Sequence, residues 1–302
     1  MLVRLIKGAA FLAMLAAVCI AAAYWLVLPR LGTPGPPRNL AGITGDPVRG
    51  KYLATAAGCV TCHTDLKGKG ALFAGGPPLK TPFGIFYGPN ITPDRSNGIG
   101  GWTLESFARA VVSGVSPDGQ HYFPSFPYTS YAALRSQDIA DLKSYLDTVS
   151  PDAKPSRPHD VNWPFSERRL LGGWKFLFFK ETAFHENKQE TAAWNRGAYL
   201  VEVAGHCGEC HTQRNGLGGK TGLPQAGNAR GPAGSKVPGI RNLGQRSPPW
   251  SHDQLILSLQ VGMKPSGDFM GDAMAEVVEH STSKLTQEDQ ASIATYLLKP
   301  RQ

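Results

Sequence analysis

Cys59-Val60-Thr61-Cys62-His63 and, 148 residues later, Cys207-Gly208-Glu209-Cys210-His211 are the two stretches on which the reading of this chain turns. Cys-x-x-Cys-His is the attachment signature of c-type haem. The two thiols bond to the porphyrin vinyl groups, and the adjacent histidine becomes an axial ligand of the iron. Two copies in similar flanking sequence imply two covalently bound haem c groups, with iron held by His63 and His211. Electron transfer is therefore the leading function class. Zinc ribbons usually space their cysteine pairs about 15–20 residues apart, far closer than here, and no βαβ pattern supports a thioredoxin-like site.

Other features repeat at nearly the same interval. Trp102 and Trp250 each follow the first cysteine of their motif by 43 residues, and Gly114 and Gly262 by 55. Arg49-Gly50-x-Tyr52-Leu53 mirrors Arg196-Gly197-x-Tyr199-Leu200, shifted by one residue. Leu134-x-x-x-Asp138 through Tyr145-Leu146 mirrors Leu285-x-x-x-Asp289 through Tyr296-Leu297. A long fixed offset with several anchors indicates duplicated domains. Helical periodicity predicts helices over Gly50–Ala57, Thr103–Val112 and Ser136–Thr148, and in the repeat over Gly197–Ala204, His252–Gln260 and Thr286–Leu298. No stretch sustains strand alternation, so the fold class is mainly α.

The expected organisation has an N-terminal transmembrane anchor (1–30), a linker (31–45), a first domain (46–150), an aromatic-rich connector (151–192) and a second domain (193–302). Gly8 to Leu28 is an uncharged apolar run preceded by Arg4 and Lys7. About 20 apolar residues span a bilayer, and the positive flank predicts a cytoplasmic N-terminus. A cleaved signal peptide with Ala21-Ala22-Ala23 at its cleavage site is the alternative. The run continues past those alanines, which favours an uncleaved anchor. The haem domains then lie on the periplasmic side of the inner membrane. Gly32–Pro37 reads as a stiff spacer, and Cys19 as a buried free thiol. The connector, with Trp163, Phe165, Trp174, Phe176, Phe178 and Phe179, is too aromatic for a free linker. It is expected to pack between the domains, or in part to form a docking face for a partner or the membrane. The net charge of +8 suits an acidic partner or an anionic surface. Lys and Arg are scattered, so nothing points to nucleic acid.

The distal sides of the two haems differ. Met274, 67 residues after Cys207, is the candidate sixth ligand of the second haem in a loop before the last helix, with Met263 and Met270 as competitors. The corresponding residue in the first half is Phe126, and no methionine occurs between Met14 and Met263. The first iron is left with His121, with an open position capped by Phe126, or with a ligand from a partner. Asn90 and Trp102 are candidate propionate contacts, as is Trp250 in the second half, since a buried indole N–H needs an acceptor.

With these residues in view, the chain resembles the membrane-associated cytochrome c subunits of bacterial periplasmic alcohol, gluconate and aldehyde dehydrogenases. The matching stretches include Gly88-Pro-Asn-Ile-Thr-Pro-Asp94, Phe123-Pro-Ser-Phe-Pro-Tyr-Thr-Ser-Tyr131, Trp194-Asn-Arg-Gly-Ala-Tyr-Leu200 and Met274-Ala-Glu-Val-Val-Glu279. The resemblance covers about residues 45 to 300. It implies two tandem class I-like cytochrome c domains, Met274 as a ligand, and a periplasmic dehydrogenase large subunit of molybdenum or quinoprotein type as partner. Electrons would pass to a soluble cytochrome, a quinone or a terminal oxidase. Many members carry three haems, and many have Met where Phe126 stands; this chain departs on both counts. The competing expectation is a peroxidase-like haem enzyme with an open first iron.

Overall fold

In each half, two helices cross where a glycine of one meets a backbone carbonyl of the other. The structure is a computed structural model and describes residues 2–32, 38–231 and 234–300. In chain order the elements begin with α1 (Leu2–Ala22), α2 (Pro47–Ala56), α3 (Cys59–His63), β1 (Pro78–Thr81), β2 (Gly84–Tyr87), α4 (Leu104–Ser113), α5 (Tyr128–Tyr131) and α6 (Ser136–Leu146). They continue with β3 (Asp160–Val161), α7 (Leu170–Phe178), α8 (Ala192–Tyr199), α9 (Gly208–His211), α10 (His252–Val261), α11 (Asp272–His280) and α12 (Gln287–Leu298).

α2 crosses α6, and α8 crosses α12. A Cβ added to Gly50 would lie 1.9 Å from the Asp141 carbonyl oxygen, and one added to Gly197 2.0 Å from that of Ser292. Only glycine allows the backbones to approach this closely. An arginine one residue earlier ties each crossing with a bidentate carboxylate contact. Arg49 donates to Asp141 at 2.7 and 3.0 Å, and Arg196 to Asp289 at 2.8 and 2.7 Å.

The predicted helices are present, with caps defining their ends. Asp46 accepts from the Val48 and Arg49 amides, and Thr103 from the Ser106 amide. Ser251 and Gln254 form a capping box, and Thr286 accepts from the Asp289 amide. Gly114 and Gly262, matched in the sequence repeat, end α4 and α10 in the left-handed region at φ 61° and 75°. The one-residue shift between the repeats also has a physical form. After α8 the helix continues as a π-helical turn over Leu200–Ala204, closed by the Gly205 amide donating to Leu200 O at 2.7 Å. A π-turn stores one extra residue within a helix. The second half therefore keeps both its crossing and its motif in register.

The halves meet through equivalent residues that exchange hydrogen bonds. Tyr52 of α2 donates to Asp289 of α12 at 2.5 Å, and Tyr199 of α8 donates to Asp138 of α6. These are matched residues of the repeat, so the interface is self-complementary in the manner of a two-fold dimer. Their buried apolar residues form one continuous core cluster spanning both halves.

Two expectations change, and a third falls outside the described residues. A small antiparallel sheet, β1-β2-β3, joins a loop of the first half to the connector, with Pro78 opposite Tyr87 and Gly84 opposite Val161. Its strands are too short for alternation to reveal them. Cys19 is exposed on the surface of α1 rather than packed inside the protein. The expected spacer lies, beyond Gly32, outside the described residues.

The connector is ordered by both halves. Its α7 buries Lys175, which donates to the Ser113 and Gly114 carbonyls at 2.6 and 2.7 Å, at the C-terminal end of α4. Burial pulls that ammonium down to about 7, with Glu181 opposing. On the other side, Trp174 donates to Leu217 O at 2.8 Å.

Gly50→Ala or Gly197→Ala should each destabilise the chain by about 2–3 kcal/mol through overpacking at the crossing. Gly216→Ala, where an added Cβ meets nothing within 4 Å, should stay within about 0.5 kcal/mol of the parent. Urea denaturation followed by circular dichroism checks both.

Candidate functional site

Each Cys-x-x-Cys-His motif is a single helical turn entered through a left-handed residue. Gly58 at φ 60° precedes Cys59, and His206 at φ 40° precedes Cys207. Both motif histidines turn Nδ1 to a proline carbonyl: His63 to Pro89 O at 2.8 Å and His211 to Pro238 O at 2.7 Å. That contact fixes the tautomer with the proton on Nδ1 and leaves Nε2 as a lone-pair donor. Burial lowers the pKa of both imidazoles, which favours the neutral form that a metal ligand needs.

The residues after the motifs match as well. Thr64 and Thr212 are buried, and their hydroxyls accept from the Phe73 and Gln225 amides, both at 3.0 Å. Each half thus clamps its motif with a loop that supplies the proline carbonyl. Cys59 and Cys207 pack against the apolar core. Burial pushes the thiols of Cys59 and Cys207 up to about 12 and that of Cys210 up to about 11, while Cys62 is raised by the same cause. Among the described residues, no three His, Cys, Asp or Glu side chains cluster as a metal cage would require. Paired protonated thiols, a neutral histidine oriented through Nδ1 and an apolar wall fit a covalently attached haem in each half.

The remaining predicted residues divide. Trp102 and Trp250 are half-buried against the common core, in matching positions. Asn90 is buried, but it does not await a propionate. Its amide group donates to Asp152 O and Lys154 O, both at 2.8 Å, and its oxygen accepts from the Thr92 amide and hydroxyl. It pins the start of the connector, with both amide N–H groups given to backbone carbonyls. His121 is buried too, and its Nε2 lies 3.0 Å from Pro29 O at the foot of the N-terminal helix. That contact engages Nε2, while Nδ1 of the same ring is buried with no hydrogen-bond partner. Met274 sits in the first turn of helix α11, not in a loop, and is half-buried. α11 packs against α3 of the first half as well as against α10. Phe126 is half-buried between Tyr122 and Tyr131, at 6.0 and 5.8 Å between ring centroids.

Tertiary structure adds residues that spacing alone did not single out. His206 contacts Ala57 O through Nε2 at 3.1 Å, directly before the first motif. Tyr131 stacks edge-on against the His206 ring at 5.5 Å. In the reverse direction, Ser281 donates to Ala56 O at 3.0 Å, and Lys67 pairs with Glu276 of α11 at 3.2 Å. The two motifs therefore face one another across the interface. Glu209, inside the second motif, accepts from Thr129 and Ser130 of the first half at 2.8 and 2.5 Å, and pairs with Arg214 and Lys220 at 2.5 and 2.7 Å. Burial opposes its ionisation, but Lys220 and Arg214 hold its carboxyl down at about 2. A charged residue between the motif cysteines was the available signal.

The cytochrome c family model matches residues 47–150. A diheme cytochrome c-type protein of Cereibacter sphaeroides is 43% identical over 280 residues, covering 92% of each chain. The gluconate 2-dehydrogenase cytochrome c subunit of Pantoea cypripedii is 38% identical over 263 residues, 82% of this chain and 58% of its own length. The fructose dehydrogenase cytochrome subunit of Gluconobacter japonicus is 39% identical over 255 residues, 82% of this chain and 51% of its own length. The chain thus spans between half and three fifths of these two subunits.

Glu209 lies below its unfolded value of about 4.3, so its contribution is present above that pH and is lost as pH falls through about 2. Glu209→Gln should cost roughly 3 kcal/mol at neutral pH by removing the buried charge that Arg214 and Lys220 pair with, and should flatten the acid limb between those values. Urea melts across a pH series measure both. At His206, alanine should be less stable than glycine by about 1 kcal/mol, because both lose the ring but only alanine keeps a Cβ in the left-handed region.

Proposed function

The chain belongs to the diheme c-type cytochromes, and from that membership we propose that it is a membrane-anchored electron carrier serving a dehydrogenase. Bound haem supplies reversible one-electron chemistry at iron. The protein's part is attachment, ligation, spacing and tuning. Cys59 with Cys62, and Cys207 with Cys210, form the thioethers, while His63 and His211 ligate through Nε2. The observation that carries this reading is the matched pair of histidines, each oriented by a proline carbonyl, on motifs that face each other across a self-complementary interface. Such an arrangement suits passage of an electron from one site to the other within the chain.

The two sites are assigned different distal sides. Met274 completes the second, and a His/Met pair raises the potential. The first has no methionine in its own half, and His121 is engaged by Pro29 O. Its distal side is assigned to Phe126 as an apolar cap. Trp102 and Trp250 are assigned to propionate contact at the haem edges.

The donor is proposed as the large subunit of a periplasmic dehydrogenase, of molybdenum or quinoprotein type. Support comes from the relatives, which are cytochrome subunits of gluconate and fructose dehydrogenases. The acceptor is a soluble cytochrome, a quinone or a terminal oxidase. The segment Arg4–Arg30 is a continuous helical stretch whose most apolar 18-residue window has mean hydropathy 2.4 and is not buried in the protein, which supports an inner-membrane anchor with the haem-bearing body outside the cytoplasm. None of the three relatives is a peroxidase by name, and the peroxidase-like alternative is not taken further.

The loaded chain should carry two haems by pyridine haemochrome absorbance, and a Cys207→Ser, Cys210→Ser variant one. Redox titration should resolve two potentials, the higher one lost in that variant. One indistinguishable potential for both sites would contradict the assigned asymmetry.

A further inference from the structure

The connector carries an apolar surface that neither half covers. α7 turns Leu171, Gly172 and Lys175 inward and leaves Phe176 and Leu177 at 69% and 66% exposure. In the preceding turn, Trp163 is 85% exposed and Phe165 40%. Scattered exposed apolar residues are ordinary, but four large ones within fifteen residues of one connector, two of them adjacent on α7, form a candidate interaction surface.

What covers this surface follows from where α7 is held. It packs directly on the foot of the apolar N-terminal helix: a Cβ on Gly172 would lie 1.9 Å from Leu28 O, and Gly173 sits against the Leu28 side chain. Arg169 places its guanidinium 4.0 Å from the Trp25 ring centroid and 5.6 Å from that of Tyr24. His121 adds its contact to Pro29 O. The uncharged run ends at Leu28, so Tyr24 and Trp25 stand where an aromatic belt meets the headgroups of a bilayer. A helix docked on that level has its outer face at the same depth. Arg168, Arg169 and Lys180 flank the apolar side chains, as on helices that lie in the plane of a membrane surface.

We propose that α7 and the Trp163–Phe165 turn form an interfacial lipid-binding face, with Phe176, Leu177 and Trp163 inserted among the phospholipid headgroups and upper acyl chains beside the anchor. This rests on the anchor reading of the N-terminal helix. The face holds the haem-bearing body at a fixed tilt on the bilayer instead of leaving it to swing on its linker. A dehydrogenase subunit as the occupant is the competing outcome.

The test uses the full-length, haem-loaded chain in vesicles of phosphatidylethanolamine and phosphatidylglycerol containing a phospholipid with a diazirine on its acyl chain. After illumination, lipid adducts are mapped by peptide mass. Adducts both in the N-terminal helix and across 163–178 are expected. Adducts confined to the N-terminal helix overturn the proposal while leaving the anchor intact; adducts in neither segment remove the anchor reading and the proposal with it. In Phe176→Asp, Leu177→Asp, adducts across 170–178 should fall to background while those in the N-terminal helix and the haem absorbance spectrum are retained. Persistence of the connector adducts in that variant also overturns the proposal.

Discussion

The helix crossing at Gly50 and Gly197 is the constraint on which the architecture depends. The backbone of one helix touches a carbonyl of the next, at Asp141 in one half and Ser292 in the other. That contact sets how near α2 comes to α6, and α8 to α12. It therefore sets where each Cys-x-x-Cys-His turn emerges relative to the apolar core. The arginine beside each glycine reinforces the crossing with a carboxylate pair. A larger side chain at either glycine would push apart the helices that form the wall of each site.

The same crossing leaves Tyr52 and Tyr199 at the junction of the halves, where each finds the aspartate of the opposite half. A duplicated sequence thereby becomes a duplicated surface, and the two copies close on each other as a two-fold pair would. The symmetry is incomplete. The π-turn at Leu200–Ala204 absorbs an extra residue, and His206 takes the place of a glycine in left-handed backbone. His206 uses its ring to reach Ala57, while Glu209 draws hydroxyls from the first half and cations from its own. The second motif thus makes the contacts that hold the two motifs close.

The connector and the N-terminal helix belong to the same mechanical system. Lys175 joins α7 to the end of α4, and the base of the N-terminal helix rests on α7. Asn90 secures the connector at its start. The connector is therefore a bracket that relates both halves to the N-terminal helix, which explains an aromatic content that a free linker would not need.

Much of the site was legible without coordinates. Cys59, Cys62, His63, Cys207, Cys210 and His211 follow from covalent chemistry that admits few residue types at one spacing. The helices followed from periodicity and caps, because those signals are local. The matched glycines at 114 and 262 marked helix ends for the same reason. The partners of Asn90 and His121 were not legible, because a side chain's partners depend on where distant segments pack. Asn90 meets residues about 60 positions away, and His121 meets Pro29 across 92. Met274 was placed in a loop, since Gly271 and the polar flank hid a helix of only nine residues. The sequence by itself determined two haem-attachment motifs, a repeated set of helices and an apolar N-terminal helix. Each rests on residue identity at short range or on a repeated interval. Only the tertiary structure decided that the two motifs face each other, that equivalent tyrosines and aspartates join the halves, and that the connector seats the N-terminal helix. Those outcomes depend on the packing of surfaces far apart in the chain, from 61 residues for Tyr199 and Asp138 to 237 for Tyr52 and Asp289, and such packing leaves no local pattern.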